Sequence, residues 1–415
     1  MSTPNTPWYP MTHDDAERIA DALDIIAVSS AATIDLTNMR EVQELVKAGK
    51  AQEFFNYGDQ IDVIWTPDNS SETTYHIPFD IVSFQPAVDG YGNTHEHAMW
   101  LQSHYALAPI QFSGNNAFYV PTEELPAGTY HFKMGNDWGT NVIANKYYQF
   151  TLTTAVPAGG QLVLGTATSN TSALPDTVPA NWRVRTFADG AQSAPTEIVA
   201  LTEGSSGTDL GTLSSSTKYS ESGINNMQRA GYGYNRYAHS AIRQWLNSAG
   251  AKEEWWEQKN PFDHRPDQLA TVQGFMAGLP QDFLQIIKPV KVTTALNTVS
   301  DVDIGESEDV VDKFFLASLE QEYIVPQVSG VEGSYWQYWK DRLGLNSPQA
   351  QYAAGTNAHH IRYAYENHTS AQFCRLRSAS RGYAYGAWYV TSSGYAYGYG
   401  TATYAHRCAP ACVIY

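Results

Sequence analysis

The chain has 415 residues, enough for two or three domains with buried cores. Only 16% of the residues are charged, below the usual quarter, whereas 27 are tyrosine and 11 tryptophan, so the surface is expected to lean on neutral polar and aromatic groups. A formal net charge of -17, with no Lys/Arg cluster to offset it, repels phosphate backbones and anionic bilayers and speaks against nucleic-acid and membrane partners.

The start, MSTPNTPWYP, has no basic region followed by an apolar stretch, and no later run approaches a membrane span, so neither a secretory signal nor membrane insertion is expected. Thr12 can cap a helix with Asp14, Asp15 and Glu17 in its first turn and Ile19, Leu23 and Ile26 on one face. That helix could attach the chain to a partner, mediate homo-oligomer formation or simply pack on the rest of the chain. After a small-residue linker (29–33), Asn38 and Glu41 form a capping-box-like pair leading a helix with Met39, Val42, Leu45 and Val46 inward and Gly49 at its end. Residues 60–65, 76–84 and 97–101 then alternate or run apolar as strands. The stretch 118–163 adds more strands, broken by Pro121, Pro126, Gly128 and Pro157-Ala158-Gly159-Gly160. Residues 174–217 are rich in Ser, Thr, Gly and Pro with a strand candidate at 197–201, and helical patterns return at 238–247, 268–277 and 281–287.

Two clusters could hold a metal. His95, His97 and His104 with Glu96 include an H-x-H pair that one strand face could present. Asp301, Asp303, Glu306, Glu308 and Asp309 offer oxygen ligands for calcium, without the glycine and terminal-glutamate spacing of an EF-hand, so a solvated acidic turn is the other reading. Three cysteines, Cys374, Cys408 and Cys412, cannot form a disulfide framework and suit a reducing compartment; Cys408 and Cys412 are spaced to share a strand face.

The final 39 residues carry the densest signal, RSASRGYAYGAWYVTSSGYAYGYGTATYAHRCAPACVIY. Tyrosine recurs there among Gly, Ala, Ser and Thr, the mixture that gives antibody-like surfaces large amphipathic contact at little entropic cost. On extended strands Tyr383 with Tyr385, and Tyr395 with Tyr397 and Tyr399, would form rows, with Ala384 and Ala396 facing the other way and Ser392-Ser393-Gly394 turning between them. An ordinary half-buried sheet or a self-associating low-complexity segment would show the same alternation. The apolar ending at 409–414 predicts a buried closing strand.

The segments FFNYGDQIDV (54–63), HEHAMWLQSHYAL (95–107), NRYAHSAIRQWLNS (235–248), PVKVTTALNTV (289–299), DKFFLASLEQEY (312–323) and APACVI resemble, in this order, the variable proteins of diversity-generating retroelements in gut bacteria and their phages. The resemblance implies an α+β fold: a C-type-lectin-like core related to formylglycine-generating enzymes, with an inserted all-β, sandwich-like domain and an N-terminal helix. The corresponding division is 1–33 for the helix and linker, 34–107 and 218–415 for the two parts of the core, and 108–217 for the insert.

In such systems an error-prone copy of a template, altered at adenines, replaces the 3′ end of the gene, and changes to Asn codons yield a vocabulary like that between Gly382 and Arg407, within a variable-type region of about 378–407. The resemblance therefore nominates Tyr383, Tyr385, Tyr389, Tyr395, Tyr397, Tyr399, Tyr404 and His406 as varied, ligand-binding positions, with Trp388, Val390 and the closing strand as fixed scaffold. It implies a host cell-surface protein or glycan as ligand, other virion proteins as partners, and display on a phage tail or surface after synthesis in the bacterial cytoplasm, or else on the bacterial surface. No cofactor beyond calcium and no enzymatic activity are expected. Two other readings stay open: a fixed-specificity structural or adhesin protein, and a cysteine-dependent oxidase using Cys408 and Cys412.

Overall fold

In the computed structural model of the protein the described residues are 38–71, 73–114, 117–134, 145–166, 182–189, 194–213, 233–259, 263, 265–352 and 358–415. The helix expected after Thr12 and the linker that follows it lie outside them. The fold is strand-rich α+β.

Its main sheet has five antiparallel strands in the order Gln60–Trp65, Tyr75–Ser83, Met99–Ser103, Pro410–Ile414, Phe315–Leu316. On the edge strand Ile61, Val63 and Trp65 point inward while Gln60, Asp62 and Ile64 face solvent, the period-2 pattern of a half-buried strand. The closing strand lies inside the sheet, pairing Ala411 with Gln102 and Cys412 with Leu101, which is why every residue of PACVI is buried. The C-terminal segment is thus held between Met99–Ser103, far earlier in the chain, and Phe315–Leu316.

Helices pack around this sheet with some departures from expectation. Met39–Lys47 buries Val42, Leu45 and Val46, and Gly49 follows in the left-handed region at φ 71°, against His97. Asn38 and Glu41 do not form the reciprocal box: their side chains bond each other and leave the helix N-terminus without a side-chain cap. Ser240 caps Ala241–Leu246 by accepting from the Arg243 amide, and Gln281–Ile286 forms as expected. The helix expected at 268–277 is instead two short 3-10 turns, Asp267–Ala270 and Phe275–Gly278. Tertiary bonds explain the break: the Gly274 amide donates to Gly250 and the Met276 amide to Ser248, and Gly274 lies so close to the Ser248 carbonyl that no Cβ fits.

The buried apolar residues form two clusters. The larger runs from Val42 to Phe112 and again from Tyr237 to Ile414. Trp65, Trp245, Phe275 and Phe314 link ring to ring within it. The smaller, from Leu125 to Leu210, is drawn from two four-stranded sheets. One sheet orders Glu197–Ala200, Trp182–Phe187, Gln161–Thr166 and Ala117–Tyr119; the other orders Thr202–Glu203, Tyr147–Leu152, Gly128–Met134 and Thr208–Leu213. Ile110 and Phe112 belong to the larger core, so the boundary expected at 107 falls several residues early. Among the described residues, Ser113, which follows the first stretch of the larger core, touches Gly233, which precedes the second: a Cβ on Gly233 would stand 3.0 Å from that of Ser113.

Adjacent exit and entry points make the intervening segment removable. Replacing residues 115–232 with a short Gly/Ser linker is expected to leave a cooperatively folding core. Its thermal midpoint should lie within about 5 °C of the full chain, roughly 2 kcal/mol for a domain of this size. A non-cooperative or absent transition, followed by circular dichroism, would refute this.

Candidate ligand-binding surface

The tyrosine-rich segment builds a second sheet of four strands, ordered Ala396–Thr401, Gly386–Val390, Cys374–Ala379, Arg407–Cys408. Gly386–Val390 and Ala396–Thr401 form an antiparallel hairpin with Tyr389 opposite Tyr397. Its turn closes through the Gly394 amide to the Thr391 carbonyl and the Thr391 amide to the Tyr395 carbonyl, both 2.9 Å. Gly394 adopts φ 84° there, as the predicted turn requires.

Small residues alternate with tyrosines for steric reasons. Ala396, Gly398 and Gly400 are buried while Tyr397 is half-buried and Tyr399 is 45% exposed. A Cβ on Gly398 would stand 2.7 Å from the Trp388 ring, and one on Gly400 would collide with Tyr389. Trp388 and Val390 are buried beneath the hairpin. Tyr383 and Tyr385 correct one expectation, because they lie in the loop before the strand, not in a strand row. Their rings nonetheless meet at 5.4 Å, and Ala384 is buried.

The nominated side chains converge. Ring centroids connect Tyr385 to Tyr383 at 5.4 Å, Tyr383 to Tyr399 at 5.1 Å and Tyr399 to Tyr397 at 5.5 Å. The series continues from Tyr397 to Tyr389 at 5.6 Å, Tyr389 to His406 at 4.5 Å and His406 to Tyr404 at 5.8 Å. Seven of the eight positions thus form one aromatic patch, and Tyr395 stands at the hairpin turn. Two rings outside the nominated set join it. Tyr352 packs on Tyr397 at 5.5 Å and Tyr399 at 5.7 Å, and Phe373 packs on Tyr389 at 5.6 Å and His406 at 5.5 Å. Neither falls in the repetitive segment, so only tertiary structure reveals them.

Beneath the patch, buried polar side chains hold the loops by their backbone. The Asn235 side-chain amide donates to the carbonyls of Ser380 (3.2 Å), Tyr383 (2.7 Å) and Gly386 (2.7 Å), and its backbone amide donates to Ala384 (3.0 Å). Asn297 orients it, donating to Asn235 Oδ1 at 2.9 Å and to Asp301 Oδ2 at 2.7 Å. Arg375 plays the same part from the neighbouring strand, donating to the carbonyls of Ala387 (2.8 Å), Gly400 (3.2 Å), Thr401 (2.9 Å) and Tyr404 (3.2 Å). Among the described residues no carboxylate pairs with Arg375, and burial pushes its guanidinium down to about 9. Arg377, two residues on, donates to the carbonyls of Leu316, Glu332 and Thr293 and so ties this sheet to the main core.

Titration behaviour follows from this burial. Burial, with Arg375 adding to it, pushes the His406 imidazole down to about 2, so the ring in the patch is neutral; burial likewise pushes the Tyr389 phenol up to about 12. His406 and Tyr389 are therefore both uncharged at neutral pH.

The other candidates are not gathered into sites. Asp301 is buried, with Tyr234, Ser300 and Asn297 donating to its carboxylate, while Asp303 and Glu306 are exposed. Glu308 pairs with Arg236, and Asp309 with Lys291. The short strand Thr94–His95 ends before His97, so the H-x-H pair does not share a strand face. His95 bonds Asp89 and stacks on Tyr415, His97 is exposed, and His104 bonds the buried Asp80. No group of three or more His, Cys, Asp or Glu stands together as a metal-ligand set among the described residues. Cys374, Cys408 and Cys412 are free and buried; burial pushes the Cys374 thiol up to about 12 and the other two well above the ordinary thiol range. No helix among the described residues is long and apolar enough to cross a membrane.

A family model described as Domain of unknown function (DUF6273) matches residues 212–415. The match takes in Asn235, Arg375 and the whole tyrosine-bearing sheet but stops short of the first three strands of the main sheet. No curated protein and no solved structure matches the chain.

The backbone grip and the ring patch should respond oppositely to substitution. Asn235→Ala strands three carbonyls and is expected to cost about 2–4 kcal/mol in urea unfolding. Tyr397→Ser, at a half-buried ring, should cost only about 1 kcal/mol. Equal losses for the two, or a larger loss for Tyr397→Ser, would contradict the division.

Proposed function

We propose that the chain is a ligand-binding protein of the retroelement-diversified type. It carries its recognition surface on a C-type-lectin-like core, and that surface consists of Tyr383, Tyr385, Tyr389, Tyr395, Tyr397, Tyr399, Tyr404 and His406. One observation carries the reading: all of these side chains but Tyr395, which stands at the hairpin turn, converge into one aromatic patch while the scaffold grips their segment through main-chain carbonyls. A carbonyl is the same whatever side chain its residue bears, so such a support tolerates replacement of the side chains. Tyrosines supply amphipathic contact, and a few central rings carry most of the affinity in surfaces of this kind.

The ligand is a host cell-surface protein or glycan, and the protein is displayed on a phage particle, where the amino-terminal region joins other virion proteins. Support for the core assignment comes from the ordered sequence segments together with a five-stranded sheet closed by the C-terminal strand. Burial raises the thiols of Cys408 and Cys412 well above the ordinary range, which favours binding over a cysteine-dependent oxidase, since the thiolate is the reactive form.

Deep sequencing of the gene's 3′ end and its flanks across a population of the source genome tests this. Substitutions concentrated in the eight codons, beside a near-copy differing at adenines, are expected, with Asn235, Arg375, Trp388 and Val390 constant. An invariant 3′ end with no near-copy would leave a fixed adhesin or structural protein.

A further inference from the structure

Tyr352 and Phe373 flank the patch on two sides, and both precede residue 378, where the varied segment begins. Tyr352 is 41% exposed and Phe373 is 43% exposed, and each meets two rings of the patch. Tyr352 is seated by scaffold residues as well. Its ring lies 5.2 Å from that of Trp388, and its hydroxyl occupies the space a Cβ on Gly398 would need. Its backbone stands at φ 52°, a left-handed conformation that a bulky residue adopts only under constraint and that Asn adopts readily. Phe373 is set by its neighbours in sequence, for it directly precedes Cys374 and Arg375 on a wholly buried strand. Packing alone does not account for Tyr352: a core residue would be covered, and a free surface residue would not hold a left-handed backbone to lay its ring beside Tyr399. Phe373 likewise keeps much of its ring uncovered while it meets Tyr389 and His406.

We propose that Tyr352 and Phe373 are constant contact residues of the recognition surface, touching the ligand whichever side chains occupy the eight varied positions. This rests on the patch being a ligand surface and extends it beyond the varied segment. The partner that fits is a neutral-to-basic protein surface. Within the patch no side chain is charged, its buried cation Arg375 is spent on carbonyls, and the chain around it has a net charge of -17, so long-range attraction and ring faces both favour lysine and arginine. A constant aromatic frame would supply affinity common to all variants, leaving the varied rings to discriminate.

The test uses a display library of the full chain randomised at the eight positions, selected in parallel on lysozyme, a basic globular protein, and on immobilised mannan. Tyr352→Asn and Phe373→Ser are then introduced, singly, into a dozen or so unrelated lysozyme binders. The proposal expects at least a tenfold rise in Kd in most of them, whatever their varied sequence, with thermal midpoints held; Tyr352→Asn, which relieves the left-handed strain, should fold at least as well as its parent. Tyr352→Phe keeps the ring and should retain most of the affinity, so a loss seen with Asn and not with Phe assigns the effect to contact. Binders that keep their affinity within about twofold in both truncations would overturn the proposal while leaving the patch a ligand surface. Binders to mannan alone would overturn the protein partner. A library that folds but yields no binder on either target would overturn the patch itself, and the constant frame with it.

Discussion

The donation of buried Asn235 and Arg375 to main-chain carbonyls is the constraint on which the tyrosine-bearing sheet depends. Between them they satisfy carbonyls at 380, 383, 386, 387, 400, 401 and 404, all within the segment that carries the nominated rings. Buried carbonyls left without donors would cost about 1–3 kcal/mol each. Loops that run across a protein's surface usually owe their shape to their own side chains. Here the shape is imposed from below, by an asparagine and an arginine that lie outside the repetitive stretch. Gly398 and Gly400 complete the arrangement by leaving room for Trp388 and Tyr389.

The grip itself is held by an acid. Asp301 receives Asn297, Tyr234 and Ser300, and Asn297 passes that order on to Asn235. A buried carboxylate of this kind is expensive to desolvate unless every oxygen is bonded, and fully bonded networks confer a unique geometry in return. From the sequence, Asp301 groups with Asp303 and Glu306 as an acidic loop of calcium-ligand type. Spatially it faces the opposite way, into the core beneath the tyrosine-bearing segment.

Much of the fold was legible in the chain, for physical reasons that differ by region. Period-2 alternation marks Gln60–Trp65 because one face is solvated, and unbroken apolarity marks Pro410–Ile414 because both faces are covered. The hairpin turn was legible because Gly394 alone could meet its positive φ. The extended helix expected at 268–277 was not, since long-range bonds from Gly274 and Met276 override local preference. Least legible were the residues that matter most to the site. Cys374–Ala379 contains two arginines and carries no pattern that marks it as interior, yet both are buried because main-chain carbonyls from several elements converge on them. Tyr352 and Phe373 gave no signal at all, as nothing in spacing ties them to rings beyond residue 382.

The most direct measurement of this account is proteolytic survival of a display library in which each residue from 372 to 408, and Asn235, is substituted in turn. The account predicts a nearly flat profile at the eight nominated positions and collapse at Asn235, Arg375, Trp388, Gly398 and Gly400. A profile in which the tyrosines are as intolerant as Trp388 would make the segment an ordinary core sheet and contradict it.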